Sequence, residues 1–127
     1  ASASICFEAV FGDEMRYQAR QSEFLINVSN DAWFGDSNGP WQHLQIARAR
    51  AIELARPLVR ATNNGVTAFI NEKGEVQAKI PQFMTEKLES QLQPTKGITA
   101  YVRLGDLSWA GLFAGLWIIT LLWNRRY

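Results

Sequence analysis

The chain holds a single cysteine and a single histidine, so an intramolecular disulfide is excluded and no metal-ligand set is indicated. Charge is scarce too. Only 20% of residues are charged and the formal net charge is +1, with the arginines dispersed among carboxylates, which leaves no basic field of the kind that binds nucleic acid. Internal repeats and low-complexity tracts are absent. With 127 residues and an apolar share of 47%, the chain allows one modest domain and is more apolar than a plain soluble domain needs. It opens on Ala1 with neither a methionine nor a charged-then-apolar leader, which is read as the downstream part of something longer.

Charge is missing altogether from Leu107 to Trp123, a run that would rise roughly 25 Å as a helix. That is the short end of a membrane span. Asp106 precedes it, Asn124-Arg125-Arg126-Tyr127 follows it, and Trp109, Trp117, Trp123 and Tyr127 supply interfacial aromatics. A buried core helix is the alternative, although Ser108 and Thr120 give it little polar face. Read as a span, Arg125 and Arg126 place the terminus in the cytoplasm and the rest of the chain outside. Gly111 and Gly115 form a small-xxx-small pair that chance explains equally well.

What is present before residue 104 reads as α/β. Ser2 to Phe7, Phe24 to Ser29, Gly65 to Asn71 and Glu75 to Ile80 are strand candidates, the last two joined by a turn at Asn71-Glu72-Lys73-Gly74. Gly12 to Gln21 is helix-tolerant between the first two strands, which suggests a parallel crossover. Trp41 to Arg56 reads as a helix with Pro40 at its start, Leu44, Ala47, Ala51 and Leu54 on one stripe, and Pro57 beyond its end. Pro81 to Arg103 reads as irregular, with one helical turn near Thr85 to Leu88. The expected division is a domain over 1–103 and a membrane segment over 104–127.

The lone thiol, Cys6, ends the first strand with Glu8 two positions on. It is either buried filler or a nucleophile delivered to a sheet edge where the chain turns. Ser29-Asn30-Asp31-Ala32-Trp33-Phe34-Gly35 would emerge at the same carboxyl edge. There Asn30 and Asp31 suit a plain turn, while Trp33 and Phe34 at a loop tip either pack down or meet an apolar ligand. Arg60-Ala61-Thr62-Asn63-Asn64-Gly65 reads as a loop closed by an asparagine-glycine turn. His43 opens the amphipathic helix, and nothing in the sequence brings it near Cys6.

Taken together and in order, Ile5-Cys6-Phe7-Glu8, Ser29 to Gly35, Gly39-Pro40-Trp41-Gln42-His43, Arg50 to Pro57 and Thr62-Asn63-Asn64-Gly65 resemble the C-terminal portion of the apolipoprotein N-acyltransferase family, a membrane branch of the nitrilase superfamily. The resemblance covers nearly the whole chain. It implies part of an α-β-β-α sandwich followed by one C-terminal transmembrane helix, with the catalytic domain on the periplasmic side of a bacterial inner membrane. It also implies ping-pong acyl transfer from a phospholipid donor, through a cysteine thioester, to the amine of a diacylglyceryl-cysteine lipoprotein acceptor, with no cofactor.

On the matching positions, Cys6 is the nucleophile, Glu8 supports the site, the backbone N–H of Phe7 helps hold the oxyanion, and Asn30, Trp33 and Phe34 lie at the lipid entrance. Phe7 stands where the family has a tyrosine. The family's triad also needs a glutamate and a lysine upstream of the cysteine, and only residues 1–5 precede Cys6. Lys73, Lys79, Lys87 and Lys96 all lie downstream, so the chain alone is expected to be inactive. Two other readings stay open: a membrane-tethered amidase of the same superfamily, and a membrane-anchored binding module in which Cys6 is core.

Overall fold

Along the first strands successive side chains point to alternate faces, and burial alternates with them: one face is buried and the other is partly or fully exposed. In the computed structural model, which describes residues 1–124, these strands are β1 (Ser2–Ile5), β2 (Leu25–Asn30), β3 (Leu58–Asn63), β4 (Thr67–Ile70) and β5 (Val76–Ile80). They form one sheet in the order β1-β2-β3-β4-β5. The first three run parallel and β3, β4 and β5 antiparallel. The expected β4–β5 hairpin is present. Gly74 takes φ 76° in its turn, and the Asn71 side chain accepts from the N–H groups of Lys73 and Glu75.

The crossovers are α1 (Gly12–Ala19) and α2 (Gly39–Leu54). Asp13 and Glu14 occupy the first turn of α1, where the helix dipole favours them. Pro40 opens α2, and Ala55 ends it in the left-handed region. Their inner stripes, Met15 and Ala19 on α1 and Leu44, Ala47, Ala51 and Leu54 on α2, bury against Leu25, Leu58, Val66, Ala68 and Ile70 of the sheet side. The other face of the sheet stays open: Ile5 and Val28 are exposed there. One helix layer and one sheet are therefore present, half of the expected sandwich.

Three expectations need correction. The segment read as a loop at Arg60 is the body of β3, because Leu58 and Arg60 both point to the buried face while Pro57 merely precedes the strand. No helical turn forms at Thr85 to Leu88; the stretch is irregular, and the helix that does form is α3 (Ala100–Leu104), capped by the Thr99 side chain accepting from Val102 N–H.

The third correction concerns the membrane span. The uncharged run becomes α4 (Leu107–Asn124), 18 residues long. Its rise of about 27 Å falls short of the roughly 30 Å hydrocarbon core, and glycine, threonine and asparagine dilute its apolar character. Among the described residues no helix is long and apolar enough to cross a membrane. Arg125, Arg126 and Tyr127, on which the expected orientation rests, lie outside the described residues.

Candidate active site

Parallel pairing of β1 with β2 brings their carboxyl ends to one edge. There the chain leaves β1 at Cys6 in the left-handed region, φ 51°, a conformation that costs a residue with a β-carbon on the order of 1 kcal/mol. A short 3-10 turn over Cys6–Val10 follows. Glu8 closes this turn: its Oε2 accepts from the N–H of Ile5 at 2.7 Å. The carboxylate thus grips the residue before the cysteine and not the sulfur. Phe7, next after Cys6, is half exposed, with its ring 6.3 Å from those of Phe11 and His43.

The half-buried Cys6 thiol meets the end of β2. Ser29 Oγ lies 3.4 Å from Cys6 Sγ and 2.6 Å from Asp31 Oδ1. A hydroxyl has one proton to give. It donates to the carboxylate in the short contact, and by rotating it can donate to sulfur when sulfur carries charge. Asp31 is fully buried and also meets Arg60 Nη2 at 2.6 Å and His43 Nδ1 at 3.1 Å. Gly65 leaves room for this carboxylate, since a β-carbon there would stand 2.3 Å from Asp31 Oδ2.

Arg60, 0% exposed, is held between two partners. One Nη donates to Asp31 and the other to Asn27 Oδ1. Burial pushes its guanidinium below the ordinary arginine range, and the neighbouring Asp31 carboxylate draws it back up. With its oxygen taken, Asn27 turns its NH2 to Ser4 Oγ at 3.1 Å and to the carbonyl oxygen of Cys6 at 3.3 Å. His43 Nε2 reaches the same carbonyl at 3.2 Å.

His43, which nothing in the sequence brings near Cys6, therefore stands at the Cys6 backbone. α2 begins over the β1 turn, so its first turn, which buries Pro40 and His43, lands there. Yet His43 addresses the backbone of Cys6 and the carboxylate of Asp31, so its two nitrogens are not arranged as a base for the thiol.

The other anticipated residues divide. Asn30 Oδ1 accepts from Ala32 N–H at 3.2 Å, the plain turn role. Trp33 is 74% exposed and stacks on Phe34 with centroids 5.2 Å apart, at the same sheet edge as Cys6. None of the lysines stands at the sulfur: Lys73 is exposed in the hairpin turn, Lys79 lies over the Trp41 ring, Lys87 pairs with Glu89, and Lys96 pairs with Glu23. Among the described residues no group of three metal-ligating side chains converges.

Ser29, Asn27 and Arg60 escaped sequence reasoning. A signal for Arg60 exists, namely its alternation with Leu58 and with residues of the other face along six strand-compatible residues. For Asn27 and Ser29 the pairing register alone brings out their role.

A family model described as carbon-nitrogen hydrolase matches residues 1–99. Among curated proteins, the apolipoprotein N-acyltransferase of Pasteurella multocida (strain Pm70) is 47% identical over 112 residues, covering 87% of this chain and 22% of that protein. The apolipoprotein N-acyltransferase of Vibrio cholerae serotype O1 is 45% identical over 127 residues, 97% of this chain and 24% of that protein. The chain thus spans under a quarter of the length of these relatives. Among solved structures, an amidase from Nesterenkonia sp. AN1, of the nitrilase superfamily, aligns with a TM-score of 0.52 at 20% identity, covering 63% of this chain and 33% of that one; in that structure an acetamide moiety is covalently added at the active-site cysteine. The latter likeness is one of fold.

Proposed function

Because the chain belongs to the carbon-nitrogen hydrolase family, we propose that it forms the cysteine-bearing part of an apolipoprotein N-acyltransferase. The observation that carries this reading is the left-handed turn at Cys6, which sets a half-buried thiol at the carboxyl edge of a parallel sheet with a hydroxyl 3.4 Å from its sulfur. The Cys6 thiolate adds to an ester carbonyl of a phospholipid, the bond to the glycerol oxygen breaks, and the lysophospholipid leaves with a proton while the acyl chain stays on sulfur. The α-amine of a diacylglyceryl-cysteine then adds to the thioester, the C–S bond breaks, and an amide forms as the amine loses its proton and the thiolate returns.

In this reading the backbone N–H of Phe7, first in the turn after the nucleophile, helps hold the tetrahedral oxyanion. Glu8 keeps the turn closed through Ile5. Trp33 and Phe34 supply an apolar contact for the acyl chain, and Asn30 shapes the loop that carries them. The general base and the cation that the chemistry needs come from elsewhere in the whole enzyme, so this chain alone is inactive. Other strands of that enzyme cover the open sheet face at Ile5 and Val28, completing the α-β-β-α sandwich over residues 1–103.

Residues 104–127 are the part that meets lipid. Support comes from α4, whose described side chains are exposed and mostly apolar, Leu116, Trp117, Ile118 and Ile119 among them. A catalytic domain on the periplasmic face of a bacterial inner membrane accords with lipid contact along α4.

The test uses the full-length enzyme and a phospholipid labelled in its acyl chain. A thioester trapped on Cys6 that passes to a lipopeptide amine is the expected result. Label released only as free fatty acid would assign the amidase reaction instead. Absence of any adduct, with full function in Cys6→Ser, overturns both.

A further inference from the structure

We propose that His43 is a positioning residue for the nucleophile, holding the Cys6 carbonyl so that the strained turn presents the thiol; this rests on the acyl-transfer reading above. Cys6 is one of the few non-glycine residues with positive φ, and such a conformation persists only where its surroundings over-determine it. Here the restraint is on the carbonyl oxygen. It accepts from His43 Nε2 at 3.2 Å and from Asn27 Nδ2 at 3.3 Å, filling both lone pairs.

Both donors are themselves aimed from one place. Arg60 donates to Asn27 Oδ1, which leaves only the NH2 of that amide to face Cys6. Its other Nη binds Asp31, whose Oδ1 meets His43 Nδ1. Two arms therefore run from a fully buried guanidinium to one backbone oxygen. Both ring nitrogens of His43 face oxygen atoms, Asp31 Oδ1 and the Cys6 carbonyl. A plain packing histidine needs no such pair of partners.

The geometry permits a discriminating pair of substitutions in the full-length enzyme. Glutamine places its amide nitrogen where Nε2 of histidine stands and can still donate to the Cys6 carbonyl. Asparagine reaches only as far as Nδ1, keeping Asp31 and losing Cys6. Single-turnover formation of the Cys6 thioester from labelled phospholipid should slow about 10- to 100-fold in His43→Asn, the scale of a small misplacement of a reacting group. It should stay within about threefold of the parent in His43→Gln, with the concentration of phospholipid at half-maximal rate unchanged in both.

Should His43→Asn fail to fold, Asn27→Asp gives an independent reading. It retains the oxygen that binds Arg60 and sets an acceptor against the Cys6 carbonyl, so acylation should slow to a similar degree. Equal rates in His43→Asn and His43→Gln, or full rate in Asn27→Asp, overturn the positioning role. A parent enzyme that forms no thioester overturns the acyl-transfer reading itself, and the two failures are thereby separated.

Discussion

At the scale of single residues, the candidate site is a buried polar cluster under a kinked backbone. Arg60 and Asp31 are both without exposure as side chains and lie 2.6 Å apart. Such a pair adds little net stability over apolar residues of the same volume, but losing one partner strands the other charge. Arg60→Met should therefore lower the unfolding free energy of the full-length enzyme by about 3–5 kcal/mol. Denaturant titration checks this, and a loss below about 1 kcal/mol would mean that Ser29 and His43 suffice to hold the Asp31 carboxylate.

Of this cluster, Cys6 and the motif around Asp31 were legible in the sequence, because a lone thiol and a polar-aromatic loop stand out by type. Arg60 was not. A charged residue in the middle of a strand reads as a loop residue unless the partner that neutralises it is already known.

At the scale of elements, the long helix α2 was the most legible. The stripe Leu44, Ala47, Ala51 and Leu54 has a period that only a helix satisfies, and all four are buried as read. Strand β3 was lost because Pro57 and the Asn63-Asn64-Gly65 sequence bracket it closely, leaving six residues that propensity cannot separate from a connection.

The far end of α2 carries a second electrostatic feature. Glu53 sits beside Arg50, with Arg50 Nη1 2.8 Å from its Oε2, yet that oxygen is buried without a well-directed hydrogen bond. Burial pushes the Glu53 carboxyl above its ordinary range; Arg50 draws it down by less, and Asp106 adds to the rise. The folded chain consequently keeps this proton to higher pH than the unfolded chain does, and stability falls as pH rises from the ordinary carboxylate value through the raised one. Glu53→Gln should unfold at a higher denaturant concentration than the parent at pH 7, with the gap closing below about pH 4, where unfolded glutamate is itself mostly protonated. A gap of the opposite sign at pH 7 would show that the Arg50 attraction outweighs burial.

At the scale of the whole molecule, apolar surface lies uncovered among the described residues on the sheet face at Ile5 and Val28 and along the flank of α4. Surfaces of this kind are costly in water, and the proposed function assigns each a cover, protein for the sheet and lipid for the helix. The pair Leu116→Glu and Ile119→Glu should weaken partition of the full-length enzyme into phospholipid vesicles without moving the unfolding of the catalytic domain, since neither side chain joins the core cluster. Co-flotation with vesicles measures the first effect and near-ultraviolet circular dichroism on heating the second; unaltered flotation would argue against lipid contact along α4.

What the sequence determined by itself is what short-range pattern controls. The period of α2, the β4–β5 turn at Gly74, the uncharged run of α4 and the chemical identity of Cys6 all depend on residues close together in the chain. The tertiary structure decided which distant side chains share the space around that thiol. His43 lies 37 positions from Cys6 and Arg60 lies 29 from Asp31. They meet because the parallel register sets Ser4 beside Asn27 and Asn27 beside Arg60 on one face, while the start of α2 falls above the end of β1. A one-residue slip in that register would turn Asn27 and Arg60 to the opposite face. No local pattern encodes their convergence, because a hydrogen bond across the sheet depends on pairing that only packing of the whole layer establishes.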